Sequence, residues 1–133
     1  MPDPTTLRAL RLAGGICGLE ATTVAAMGVV EIVSLDTGRL ALGVTTAVFL
    51  FVYAAGLALA GLGLARARSW ARAPVVLSQL IQLGIAWSFY GGSTTWVALL
   101  LAVPAAVVVV ISVRPSTTSA LYGDAPRDDA AAG

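Results

Sequence analysis

The sequence has no histidine, no lysine and one cysteine, Cys17, and only 11% of its 133 residues are charged. Each shortage removes a class of function. Without histidine no Ser/His or Cys/His nucleophile pair can be built. A single cysteine excludes an internal disulfide and any Cys/His metal cluster. Neither a GxSxG turn nor a phosphate-binding glycine loop is present. A net charge of +1 is too small to suggest nucleic acid or a polyanionic substrate. These absences argue against an enzyme and imply no cofactor.

Apolar residues dominate instead, at 58% of the chain. A soluble domain carries roughly a quarter charged residues, and small domains leave much of their surface in water. The expected solvent for these side chains is lipid. Spanning a bilayer takes about 20 mostly apolar residues as a helix. No charge lies between Arg39 and Arg66, which holds one span. The 41 uncharged residues between Arg72 and Arg114 would reach about 60 Å as one helix, twice the hydrocarbon thickness. They must fold back, and Gly91-Gly92-Ser93-Thr94 is the strong turn signal among them. Arg8 and Arg11 resemble the start of a signal peptide, but the apolar run after them is too long and carries Glu20. The expectation is an all-α membrane protein. Its four-transmembrane-helix domain, 1–114, has spans at about 9–33, 41–65, 73–90 and 95–113, readable as two hairpins. A disordered tail, 115–133, follows, with Leu121-Tyr122 its one apolar anchor.

Arginine-rich loops stay in the cytoplasm. Arg8, Arg11, Arg66, Arg68, Arg72 and Arg114 fall on one side of such a topology, and Arg39 on the other. That bias predicts cytoplasmic termini in a multi-pass protein of the plasma membrane. Trp87, Phe89, Tyr90 and Trp96 gather at the outer turn, and Trp70 at the inner one, as interfacial aromatics do.

Glu20 is the most informative residue. It lies 9 residues past Arg11, about 13 Å into the membrane. An ionised carboxylate there costs several kcal/mol and often marks a functional site. Gln79 and Gln82 lie at similar depth on the third span, roughly 10 and 15 Å past Arg72. Ser78 stands beside Gln82 at i,i+4. On the fourth span Pro104 falls at the same level and frees a backbone carbonyl, and Gly56 is near it on the second. The expected result is an intramembrane polar layer of Glu20, Gln79, Gln82 and Ser78 with the backbone near Pro104. Its plainest role is to hold helices together; its sharper one is to handle a proton or solute. Glu31 shares a helical face with Glu20, about 16 Å away by rise, too far for a two-carboxylate site, and reads as a solvated end residue.

Gly14 and Gly18, then Gly56 with Ala60 and Gly61 with Ala65, are spaced for close helix approach, within the bundle or in a homodimer. Cys17 reads as a small buried side chain. Arg66, Arg68 and Arg72 anchor the topology and are candidate contacts for anionic lipid head groups.

The stretch from Arg66 to Leu83, containing Arg-Ser-Trp-Ala-Arg-Ala-Pro and Gln79, resembles a group of small actinobacterial integral membrane proteins; so do the Trp87 region and Arg114 to Leu121. The resemblance implies four spans and carries no activity. Glu20 is also similar in place to the first-helix glutamate of small multidrug resistance exporters. The charge bias here is stronger than theirs, and their aromatic pattern around helices 2 and 3 is absent, although Tyr53 is present. Two functions follow as expectations. One is a non-enzymatic accessory or assembly module of the cell envelope, with a membrane protein partner. The other is a proton-coupled exporter of small solutes or drugs, acting as a dimer through Glu20.

Overall fold

The computed structural model describes residues 3–123 and is helical throughout, with no strand among them. Five α-helices follow in order: α1 (Pro4–Val33), α2 (Leu40–Ala65), α3 (Arg72–Ser88), α4 (Thr95–Val113) and α5 (Pro115–Tyr122). Single 3₁₀ turns precede α2, α3 and α4. The stretches Pro4–Val33, Thr37–Ala65 and Gly92–Val113 are long and apolar enough to cross a membrane. The 17 residues of α3 rise about 26 Å, at the lower end of what a span needs.

Local chemistry explains the boundaries. Asp3 caps α1 by accepting from the Thr5 N–H, and Pro4 occupies the first helical position, where its missing N–H is no loss. The helix therefore begins five residues before the expected span. After α1, Asp36 accepts from the Gly38 N–H and closes the turn into α2. The end of α2 is a Schellman motif: Arg68 N–H donates to Gly63 O and Ala67 N–H to Leu64 O. Ala67 sits there at φ 55°, a left-handed position that glycine usually fills. At the far turn α3 stops at Ser88, two residues early, and Gly91 (φ 121°) and Gly92 (φ 63°) supply the positive angles.

α1 packs along α2 and α3 along α4. The pairs meet through α1–α4 and α2–α3 contacts, whereas the α1 and α3 backbones barely approach. Small residues bring α1 and α2 close. A methyl group built on Gly14 would lie 2.6 Å from Gly61 O and 2.7 Å from Ala65 Cβ. One built on Gly61 would meet Cys17 Cβ at 2.7 Å. Gly18 and Gly56, by contrast, have open space there. The buried core includes Leu10, Ala13 and Cys17 of α1, Leu57 and Leu64 of α2, Val75 of α3, Val108 and Ile111 of α4, and Leu121 of α5.

The tail expectation needs correction. Residues 115–122 form a helix. Pro115 starts it, and Thr117 and Leu121, four residues apart, turn one face into the core. Thr117 Oγ1 donates to Ile111 O at 2.6 Å, tying α5 back to the end of α4. The rest of the expected tail, from 124 onward, lies outside the described residues.

Candidate functional site

The polar side chains of α1 and α3 meet halfway along the helices. Gln79 Nε2 donates to Glu20 Oε2 at 2.8 Å, and Gln82 Nε2 donates to Glu20 Oε1 at 3.0 Å. Each carboxylate oxygen thus accepts from its own amide. This donor set suits an ionised carboxylate, which accepts on both oxygens and donates nothing. The second N–H of Gln82 goes to Leu101 O on α4 at 3.1 Å. The second N–H of Gln79 points at Cys17 Sγ, 3.9 Å away. Two amides therefore link α1, α3 and α4 across a gap that the backbones leave open.

Helical geometry accounts for the meeting. Gln79 and Gln82 are i,i+3 neighbours on α3, about 4.5 Å apart in rise, so together they straddle one carboxylate. Glu20 projects from α1 six residues, nearly two turns, beyond the Gly14–Gly61 crossing, on the helix that crossing fixes. The acceptor on α4 is Leu101, not Leu100, whose carbonyl loses its helical donor to Pro104.

The structure brings three of the four expected polar residues together. Ser78 stands apart, because its hydroxyl donates to Pro74 O within its own helix at 2.8 Å. Gln79 is fully buried, and its Oε1 has no hydrogen-bond partner among the described residues.

A cavity of about 390 Å³ opens beside Glu20, between α1 and α4. Glu20, Thr23 and Gln82 supply its polar lining; Val24, Met27, Leu100 and Pro104 are among its apolar lining. Glu31 lines a different, polar cavity of about 400 Å³ with Ser34, Asp36 and Arg39, at the turn between α1 and α2. Among the described residues no three His, Cys, Asp or Glu side chains gather as a metal-ion set.

The three candidate lipid contacts diverge. Arg66 and Arg68 are exposed in the turn. Arg72 is half-buried, and its guanidinium lies over the Tyr122 ring, 5.7 Å from the centroid. Tyr122 was not foreseen as part of a site. Its neighbour Leu121 carried the available signal, an apolar pair in an otherwise polar tail.

No known protein family, characterised protein or solved structure matches this chain, so neither resemblance gains a matched residue.

Proposed function

We propose that the chain is a four-span protein of the plasma membrane, with cytoplasmic termini, and serves as a non-enzymatic assembly module of the envelope. α3 is the fourth span in this reading, and the six-to-one arginine bias supports the orientation. Large apolar side chains on the outside of the molecule support lipid as the solvent: Leu19 is 70% exposed, Val52 67% and Leu100 67%. The observation that carries the assembly role is the engagement of Glu20. Both its oxygens and both N–H groups of Gln82 are committed to joining helices, which is what polar residues do when they hold spans together. The test is affinity purification in mild detergent, with in-cell crosslinking to check proximity. A stoichiometric membrane protein partner is expected. A chain that purifies without any other protein and drives substrate-dependent proton flux in proteoliposomes would overturn the assignment.

The exporter is the second reading, favoured by the cavity beside Glu20 and by the unused Gln79 Oε1. A protonated Glu20 has one O–H to donate, and a 180° turn of the Gln79 amide would present an acceptor to it. Four helices make only one half of an alternating-access device, so this reading requires a homodimer. Glu20→Gln discriminates. An exporter loses substrate-dependent proton release, whereas a module has none to lose.

A further inference from the structure

A second feature lies away from Glu20, at the end of the molecule that carries the arginines. A groove of about 420 Å³ runs between the start of α3 and the end of α4. Val76, Leu77 and Leu80 form its α3 wall and Val113 its α4 wall, and Arg72 and Tyr122 stand at its head. Val76 and Leu80 follow Arg72 at successive i,i+4 positions, so the apolar trough extends roughly 12 Å from the guanidinium along one face.

The head of the groove is organised. Tyr122 is brought over Arg72 by α5, whose Leu121 and Thr117 are anchored in the core. The Tyr122 hydroxyl donates to Ser69 O at 3.4 Å, which limits rotation of the ring out of place. A guanidinium stacked on an aromatic face keeps its N–H edges free, and those edges match the oxygens of a phosphate in a forked, two-bond geometry. Arg66 and Arg68, in the turn before α3, add positive charge at the same end. Among the described residues the Arg72 guanidinium donates no hydrogen bond, and it tops an open apolar trough; the molecule with the complementary chemistry is an amphiphile with an anionic head.

We propose that this groove is a binding site for an anionic phospholipid of the adjoining leaflet, with its phosphate on Arg72 and an acyl chain along Val76, Leu80 and Val113. The proposal rests on the membrane reading above. It assigns α5 a purpose: the helix carries the aromatic platform that orients Arg72.

Native mass spectrometry of the full chain, released from micelles containing equal phosphatidylglycerol and phosphatidylcholine, tests it. The expected result is one retained phosphatidylglycerol, preferred about fivefold: both lipids offer Arg72 a phosphate, but only phosphatidylglycerol keeps a net negative charge, since the choline cation cancels that of phosphatidylcholine. Arg72→Gln should remove most of that preference, and Tyr122→Ala should weaken it. Leu80→Trp, which fills the trough and leaves the charge unchanged, should also lower retention. Arg66→Gln and Arg68→Gln should each change it less than about twofold, as charges outside the groove. Equal retention of both lipids, or a preference indifferent to both Arg72→Gln and Leu80→Trp, overturns the site. A preference that appears only when residues 124–133 are deleted also overturns it, and assigns the groove to the chain's own segment bearing Asp124, Asp128 and Asp129. Carbonate extraction of native membranes separates the two readings. A chain that stays in the membrane while its lipid preference ignores Arg72 loses the site alone, whereas a chain released as soluble protein loses both.

Discussion

Below the level of Glu20, toward the arginines, all four long helices contribute to one core; at and above it, a cavity opens between α1 and α4. The lower half buries Leu10, Leu64, Val75 and Val108 completely, and its α1–α2 crossing brings Gly14 against Gly61. Large fully buried side chains are missing from the upper half of the described chain. There Gly28 faces the Phe51 ring and Gly43 faces Leu35, both inside the first hairpin, and a cavity lies between α1 and α4. The Glu20–Gln79–Gln82 cluster lies at the boundary. Where small residues let backbones touch, dispersion holds the helices. Where they do not, long polar side chains reach across instead.

This contrast can be attacked by substitution, with unfolding followed by tryptophan fluorescence during SDS titration. Leu64→Ala in the lower half should cost about 3 kcal/mol, since it opens a void in a closed core. Leu100→Ala, on the exposed side of the upper half, should cost under about 1 kcal/mol. Equal losses would erase the distinction. Gly14→Ala should cost about 2 kcal/mol, because Gly61 O and Ala65 Cβ stand in the way. Gly84→Ala, with open space at that point, should be neutral or stabilise by up to about 1 kcal/mol.

Gln82→Leu breaks two hydrogen bonds and should cost about 1 kcal/mol. Gln79→Leu should cost less, because it also removes a buried carbonyl oxygen that has no partner. Reversal of that order would mean that Gln79 Oε1 is satisfied in the membrane. The smallest effect is a gain. Ala67→Gly relieves a left-handed backbone and should stabilise by about 0.5 kcal/mol, the relief being offset in part by the added freedom of the unfolded chain.

How much of this was readable from the residues follows from the geometry of a helix. Rise per residue is constant, so counting from Arg11 and Arg72 places Glu20, Gln79 and Gln82 at similar depth from the sequence alone. Rotation about the axis is not recoverable in the same way. α1, α2 and α4 are apolar nearly all round, and periodicity does not single out an inward face. That is why Gly14 and Gly61 could not be distinguished from Gly18 and Gly56 as the contact pair. Ser78 was misplaced because a serine in a helix can satisfy itself on the carbonyl four residues back. α5 was missed because its polar composition hides a two-residue anchor, Thr117 and Leu121, that only the end of the core can reward. The division into a closed and an open half had no counterpart in composition, since both halves are built from the same Ala, Val, Leu and Gly.

The bond between the hairpins is tested most directly by a double-mutant cycle, with Glu20→Leu as one change and Gln79→Leu with Gln82→Leu as the other. Stabilities of all four proteins in the same detergent give the interaction energy. A favourable coupling of about 1 kcal/mol is expected from the two amide–carboxylate bonds. Losses that simply add, to within about 0.3 kcal/mol, would contradict the claim that Glu20 holds the two halves of the chain together.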